Sequence, residues 1–245
     1  MLNISTRDGV AEAIVALPPA GSGPGVLFFM DAFGLRPRIE QMAQEIADWG
    51  YVVLAPNVFY REGSVAELAP TTDLTTAEGM GEFFRVAGPR IGRLTADRAI
   101  EDIDAYLAAL AALPEVTDGP VAAVGFCMGG RLAVRAAGRH PELVAACAGF
   151  HTGGLVADDP HSPHHELATA RSEFLFGHAD NDRSMTRENV AALGAALEDA
   201  QLVARNEIYP GAAHGYTMSD TVAWNQHAFE RAFTNLRDLL ERTLK

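Results

Sequence analysis

The stretch Val121-Ala122-Ala123-Val124-Gly125-Phe126-Cys127-Met128-Gly129-Gly130 decides the fold of this chain. It begins as an apolar strand, and the segment after it, Arg131 to Gly138, has a helical pattern. At a sharp strand-to-helix turn the central residue is held in a strained backbone conformation, and neighbouring elements come so close that only glycine fits beside it. The glycines that frame Cys127 therefore predict a nucleophile elbow, with cysteine where serine is usual.

Cys127 is predicted to be the nucleophile of this elbow. The helix after it would direct its N-terminal N–H groups and the positive end of its dipole at the sulfur, which favours the thiolate. The N–H of Met128 would face the same place as an oxyanion donor. The alternative is a buried structural cysteine, and the frame of glycines favours the nucleophile. Cys147 lies in an apolar run without such a frame and is predicted to be core packing.

Outward from the elbow, short apolar runs alternate with amphipathic segments along the chain. Several runs are nearly uninterrupted, which is typical of strands covered on both faces of a parallel sheet. Strands that alternate with helices indicate βαβ units and a mostly parallel sheet with helices on both faces. We therefore predict an α/β fold with one domain over residues 1–245. The predicted strands are Ala13–Leu17, Val26–Met30, Tyr51–Ala55, Val121–Phe126, Leu143–Phe150, Glu173–Phe176 and Val203–Tyr209.

The remaining segments are assigned from their periodicity. Leu2 to Leu17 has a turn at Asp8–Gly9 and is predicted to form an antiparallel hairpin at one edge of the sheet. Arg61 to Gly92 has weak periodicity and is predicted to be an irregular excursion that roofs a cleft. Apolar residues three and four positions apart predict helices. Their buried faces are Ile39, Met42, Ala43 and Ile46; Ile100, Ile103, Leu107, Leu110 and Leu113; Val190, Leu193 and Leu197; and a C-terminal helix covers Trp224 to Leu244.

A thiol nucleophile needs a base, and the base needs a carboxylate that fixes its tautomer. His214 follows the last predicted strand, and Asp180 follows the one before it. Loops at the carboxyl ends of parallel strands are where such sheets bind their ligands. The order Cys, Asp, His matches the hydrolase order. Asp182 competes with Asp180, and we favour Asp180 because it lies nearer the strand end, whereas Asp182 is predicted to cap the helix near Ser184 or Thr186.

Composition and charge narrow the class of partner. The formal net charge is −13, which argues against nucleic acid and anionic membranes, because both require clustered Lys and Arg. Met1 to Gly9 has no apolar core, so no signal peptide is expected, and two cysteines do not suggest a disulfide framework. We expect a cytoplasmic monomer or small homo-oligomer. The segment His161-Ser162-Pro163-His164-His165 lacks the spacing of a known metal set, and no metal is expected there.

At this point the chain resembles the dienelactone hydrolase family over nearly its whole length. Gly125 to Gly130 is similar to the family's cysteine elbow. Gly177-His178-Ala179-Asp180 is similar to its acid loop, and Gly211-Ala212-Ala213-His214-Gly215 to its histidine loop. Met30-Asp31-Ala32-Phe33-Gly34, with Tyr51 to Asn57 downstream, is similar to its early loop. The resemblance implies the α/β-hydrolase fold.

The resemblance also implies roles for individual residues. Asp31 would be the carboxylate that helps to ionise the thiol, although the family usually has Glu, which is one methylene longer. The N–H groups of Ala32 and Met128 would form the oxyanion hole. The family follows its catalytic histidine with a serine and then an arginine that holds the substrate carboxylate, and the residues after His214 supply neither. Arginines of the roofing segment, Arg85, Arg90 or Arg93, are the candidates to replace it.

The predicted function is hydrolysis of a small-molecule ester or lactone by a Cys127-His214-Asp180 triad through a thioester, without a metal or organic cofactor. Two alternatives remain open from the sequence. One is a glutamine-amidotransferase-like cysteine enzyme, which would require an acid just after the histidine. The other is a small-molecule binder without activity on a hydrolase scaffold.

Overall fold

The structure, a computed structural model that describes residues 1–245, is built around one eight-stranded sheet. The strands are β1 (Leu2–Thr6), β2 (Gly9–Ala16), β3 (Gly25–Phe29), β4 (Val52–Pro56), β5 (Val121–Phe126), β6 (Val144–Phe150), β7 (Glu173–Ala179) and β8 (Ala204–Tyr209). Their order in the sheet is β1-β2-β4-β3-β5-β6-β7-β8. β2 pairs antiparallel with β1 and with β4, and all other pairs are parallel. The predicted α/β fold and the predicted edge hairpin are confirmed.

Helices connect the strands, as the periodicity predicts. They are α1 (Pro37–Asp48), α2 (Val65–Leu68), α3 (Ala77–Arg93), α4 (Ala96–Ala111), α5 (Gly129–Arg139), α6 (Arg187–Asp199) and α7 (Gln226–Leu244), with a 3₁₀ helix at Pro163–Ala168. None of them combines the length and the apolarity that crossing a membrane requires.

The central strands are buried on both faces. Every residue of β3, β4 and β5 is buried, and 64 buried residues form one continuous hydrophobic cluster. Phe126, at the end of β5, stacks on Phe28 at 4.8 Å and on Phe150 at 5.5 Å between ring centroids. Continuous burial explains why these strands are uninterrupted apolar runs, and the packed rings fix the strand end from which Cys127 follows.

The prediction of an irregular segment over Arg61 to Gly92 is wrong. Half of it belongs to helix α3 and a further turn to α2. Four glycines and Pro89 lie within α3, although each disfavours helix formation. Tertiary packing outweighs this propensity, since Phe83 and Ala87 are buried against Phe33 and Leu74. Thr76 caps the helix by accepting a hydrogen bond from the Gly79 N–H at 3.0 Å. The roofing position is as predicted, because Phe84 and Ile91 of α3 line the cleft over Cys127.

Candidate active site

Cys127 occupies a strained turn between β5 and α5. Its φ is +54°, in the left-handed region that non-glycine residues rarely adopt. A Cβ at Gly125 would lie 2.2 Å from the Gly129 carbonyl oxygen, and one at Gly130 would lie 1.9 Å from Thr152 Oγ1. Both positions therefore exclude any side chain, which is the physical reason for the glycines in the quoted stretch. The elbow geometry predicted from the sequence is present.

Three side chains from three loops form one chain of contacts. His214 Nε2 lies 3.0 Å from Cys127 Sγ, and His214 Nδ1 lies 2.6 Å from Asp182 Oδ2. The other oxygen of Asp182 accepts hydrogen bonds from the backbone N–H of Ser184 at 2.8 Å and from its hydroxyl at 2.6 Å. The structure thus brings together a thiol, an imidazole and a buried carboxylate, which is an arrangement that can activate a thiol.

The carboxylate in this chain is Asp182, and the prediction of Asp180 as the partner of His214 is wrong. Asp180 instead accepts hydrogen bonds from Arg187 at 2.7 Å and from the Gly211 N–H at 3.1 Å. The cause is the length of β7, which continues to Ala179 rather than ending at Phe176. The backbone of Asp180 is still bound to the neighbouring chain segment, because its N–H donates a hydrogen bond to the Ala212 carbonyl oxygen. The chain turns toward His214 only after Asp180.

The three groups perturb one another electrostatically. Burial alone would lower the pKa of His214, but the negative charge on Cys127 and the hydrogen bond to Asp182 raise this pKa to about 10. Burial opposes the ionisation of Asp182 as well, yet the bonds from His214 and Ser184 lower the pKa of Asp182 to about 2. His214 is therefore protonated at neutral pH when the sulfur beside it is negative.

Two backbone N–H groups are free beside the sulfur. Ala32 and Met128 both line the cleft with Cys127, and neither N–H has an acceptor within the protein. Ala32 follows the end of β3, and that strand packs tightly on the elbow, since a Cβ at Gly129 would lie 2.4 Å from the Phe29 carbonyl oxygen. These are the two residues that the sequence analysis assigns to the oxyanion hole.

The sulfur opens into a cleft of about 450 Å³. Its lining combines the apolar side chains of Phe84 and Ile91 from α3 with Arg131 from α5. The lining residues are Ala32, Phe84, Ile91, Cys127, Met128, Arg131, Gly153, Gly154, Ser184 and His214. The cleft therefore holds the predicted nucleophile and base together with space for a small substrate.

The chain is similar to known proteins over most of its length. Residues 11–244 match the dienelactone hydrolase family. The chain belongs to the dienelactone hydrolase family. Membership confirms the predicted resemblance and makes the chain a hydrolase of the carboxylic-ester and lactone class.

Individual relatives of this dienelactone hydrolase family member cover most of its length. A carboxymethylenebutenolidase from Pseudomonas sp. (strain P51) is 26% identical over 230 residues, which is 94% of this chain and 89% of the relative. A dienelactone hydrolase structure from Anabaena variabilis has a TM-score of 0.64 at 19% identity and covers 100% of this chain and 97% of its own. A dienelactone hydrolase-like promiscuous phosphotriesterase from metagenomic libraries has a TM-score of 0.75 at 23% identity and covers 100% of this chain and 98% of its own. The structural likenesses show the α/β-hydrolase fold, as predicted.

Asp31, the early carboxylate of the family pattern, is held by other residues of its own loop. Its side chain is buried, and its two oxygens accept hydrogen bonds from Arg36 at 2.7 and 3.0 Å and from the Phe33 N–H at 3.0 Å. It makes no hydrogen bond to Cys127. Arg36 also binds Asp220 at 2.6 Å, so one guanidinium lies between two carboxylates. Asp31 is thus an ion-pair partner of Arg36 beside the loop of Ala32, and its role in ionising the thiol stays a prediction.

His151 is a site residue that the sequence analysis did not find. It follows the carboxyl end of β6 with φ +40°, and its ring lies 5.4 Å from the ring of His214. Its Nε2 lies 2.7 Å from Thr217 Oγ1, in the segment after His214. Burial lowers the pKa of His151, so the ring is neutral and supports the His214 loop without adding charge. The position of His151 directly after a predicted strand is the sequence feature that could have indicated it.

None of the arginines predicted to replace the family's substrate arginine is free in the cleft. Arg85 is exposed and pairs with Glu82, and Arg93 pairs with Glu62. Arg90 is buried and donates a hydrogen bond to the carbonyl oxygen of Ala32 at 3.2 Å, so it is bound to the loop that carries Ala32.

The geometry also bears on the amidotransferase-like alternative and on the histidine segment. The amidotransferase-like reading requires an acid just after the histidine, whereas Asp182 lies on the preceding loop. The residues His161 to His165 do not converge on a metal position, since no group of three or more His, Cys, Asp or Glu side chains in the structure has that geometry.

Proposed function

We propose that this protein hydrolyses small-molecule esters or lactones through Cys127, with His214 as base and acid, Asp182 as its orienting carboxylate, and Ala32 and Met128 as the oxyanion donors. The observation that carries the proposal is the continuous chain from Asp182 through His214 to Cys127 Sγ, at 2.6 and 3.0 Å. The name of the Pseudomonas relative, carboxymethylenebutenolidase, denotes a lactone hydrolase and supports the same reaction class.

The first half of the reaction acylates the sulfur. With His214 protonated, Cys127 is a thiolate, which attacks the carbonyl carbon and forms a C–S bond. Negative charge moves to the carbonyl oxygen, where the free N–H groups of Ala32 and Met128 stabilise it. When the tetrahedral intermediate collapses, the C–O bond breaks, and His214 Nε2–H donates its proton to the departing oxygen. The products of this half are an alcohol or enol and a thioester on Cys127.

The second half releases the acid. His214, now neutral, accepts a proton from a water molecule that attacks the thioester carbonyl. The C–S bond breaks, the carboxylic acid leaves, and the imidazolium beside the thiolate is restored. Asp182 remains ionised throughout, because its hydrogen bonds hold its pKa far below neutral pH. Its task is to keep Nδ1 of His214 protonated and Nε2 directed at the sulfur.

The test is hydrolysis of a 4-nitrophenyl ester series by wild type, Cys127→Ala and the control Cys147→Ala. We expect Cys127→Ala to lose turnover and Cys147→Ala to keep it, because Cys147 is fully buried in the core. Rapid quenching followed by intact-mass measurement should detect an acyl adduct on the wild type. The same measurement should detect none on Cys127→Ala. Turnover by Cys127→Ala at the wild-type rate would refute the mechanism.

A further inference from the structure

Arg90 is a buried arginine of α3, the helix that roofs the cleft. Its guanidinium carbon lies 5.0 Å from the ring centroid of Phe59 and 5.2 Å from that of Phe83. Glu62 is the carboxylate that acts on its charge, but Glu62 is bound to Arg93, and the Nε of Arg90 is buried without a hydrogen-bond partner. A desolvated charge without a close counter-ion is costly. Stability alone therefore does not explain this arginine.

The guanidinium of Arg90 binds the loop that carries Ala32. Its Nη2 donates to the Ala32 carbonyl oxygen at 3.2 Å, and its Nη1 donates to the Leu68 carbonyl oxygen at 3.4 Å. The N–H of the same Ala32–Phe33 peptide group donates to Asp31 Oδ1 at 3.0 Å. A cation thus binds the oxygen of one peptide group and an anion binds its hydrogen. Charge-assisted hydrogen bonds are about twice as strong as neutral ones, so the orientation of this peptide group is firmly fixed.

The orientation of the Ala32–Phe33 peptide group bears on the Ala32 N–H. That N–H belongs to the preceding peptide group, and the two groups are joined at the Ala32 Cα through only two rotatable bonds. Ala32 lines the cleft with Cys127, and its N–H has no acceptor within the protein. A donor stabilises an oxyanion well only when it is held in place before the charge develops. A residue that fixes the adjoining peptide group therefore affects the reaction without touching the substrate.

Arg90 also connects this loop to the roof of the cleft. Its neighbour Ile91 lines the cleft, as does Phe84 one and a half turns earlier on the same helix. Phe83 of α3 packs on Phe33, with ring centroids 4.8 Å apart. Helix α3 therefore contacts the substrate space and the loop of Ala32 together, and Arg90 supplies the polar part of that contact.

We propose that Arg90 is a positioning residue that holds the Ala32 N–H in the orientation that binds the oxyanion. The inference rests on the proposed function. Arg90 is not among the residues that line the cleft, so it acts through the Ala32–Phe33 peptide group. Its contribution belongs to the transition state, when negative charge reaches the carbonyl oxygen, and an interaction of this kind raises kcat without tightening the binding of the substrate.

The experiment compares attack of Cys127 on a carbonyl, which places charge on the oxyanion donors, with its attack on a saturated carbon, which does not. The two reactions are turnover of 4-nitrophenyl butyrate and alkylation by iodoacetamide. Wild type, Arg90→Met, Arg90→Lys and the control Arg93→Met are measured in both. Arg93 is on the same helix, but it is exposed and pairs with Glu62.

We expect Arg90→Met to lower kcat and kcat/KM equally, by about 10- to 100-fold, whereas loss of an oxyanion donor itself costs roughly 10²- to 10³-fold. The rate of Cys127 alkylation should stay the same, because the thiolate is unaffected. Arg90→Lys should recover part of the turnover, because it keeps a cationic donor but not the fork of the guanidinium. Arg93→Met should keep both rates.

The outcomes separate this inference from the proposed function. An equal loss of turnover and alkylation in Arg90→Met would show that Arg90 acts on the sulfur or the fold, and it would overturn the inference. An unchanged kcat, or a rise in KM alone, would overturn it as well while leaving the hydrolase proposal standing. A wild type whose Cys127 is alkylated but that does not hydrolyse the ester would refute the proposed function, and this inference with it.

Circular dichroism and thermal unfolding establish that the variants are folded. If Arg90→Met is not folded, the comparison of Arg90→Lys with wild type takes its place, with a smaller loss of kcat expected at an unchanged alkylation rate. Equal kcat in these two proteins would then overturn the inference.

Discussion

Replacing Asp182 by Asn tests which carboxylate serves His214. Asp182 Oδ1 accepts two hydrogen bonds from Ser184, and Oδ2 lies against His214 Nδ1. An asparagine in the same rotamer would keep its oxygen on Ser184 and turn its NH₂ group toward Nδ1. The proton of a neutral His214 would then sit on Nε2, where it faces the sulfur, and the ring could no longer accept a proton from the thiol or from water.

The magnitude follows from this change of tautomer. Loss of the orienting carboxylate in a serine-protease triad lowers kcat by about 10⁴, and we expect a loss of that order here, on the order of 5 kcal/mol in activation free energy. Asp180→Asn is the matched control, because it is the same chemical change two residues away. It removes one bond to an exposed arginine and weakens one to a backbone N–H, so kcat should change by no more than a few-fold.

The assay is kcat for 4-nitrophenyl butyrate from pH 5 to 10, with unfolding by urea to confirm that both variants are folded. Asp182→Asn should shift or abolish the acid limb of this profile, because the base function of His214 depends on the carboxylate. A large loss in Asp180→Asn together with near-normal turnover in Asp182→Asn would refute the assignment drawn from the contacts of His214.

Three further outcomes are expected. Asp31→Asn should lower the free energy of unfolding by about 3 kcal/mol, because it breaks a buried ion pair with Arg36. It should also reduce turnover, while the pH dependence of Cys127 alkylation stays unchanged. A shifted alkylation profile would support the activating role of Asp31. One equivalent of iodoacetamide should label Cys127 and spare Cys147, whose thiol pKa is raised by burial, as peptide mass mapping would show; labelling of both is the contrary result. The pKa of Asp182 is lowered to about 2, so its stabilising contribution should be present above about pH 4 and be lost as the pH falls toward 2. The free energies of unfolding of wild type and Asp182→Asn, measured in urea, should therefore become equal near pH 2. A difference between them that persists at about pH 2 would contradict the assignment.

The sequence was most informative where local pattern and local structure coincide. The parallel strands are apolar because both faces are buried, and the glycines around Cys127 are required by contacts within a few residues and one neighbouring strand. The elbow around Cys127 and the position of His214 after a strand could therefore be predicted from local pattern, whereas Ala32 was named from the family resemblance.

The errors came from features that depend on distant parts of the chain. The end of β7 is set by its pairing with β8, which continues to Ala179 and Tyr209, and three additional strand residues moved the acid from Asp180 to Asp182. Helix α3 is stabilised by packing of Phe83 on Phe33 rather than by its own propensity. The partner of Asp31 is Arg36, which itself binds Asp220 far along the chain, and no local pattern reveals that link.

The ion pairs of Arg36 have a consequence for any attempt to remodel this enzyme by loop exchange. One guanidinium joins the segment that carries Ala32 to the segment that follows His214, and Arg38 adds a second link by donating to the Thr217 carbonyl at 2.7 Å. A graft of either segment alone would leave a buried charge without its partner. The oxyanion loop and the histidine loop are therefore a single exchangeable unit, and chimeras should carry both from the same parent.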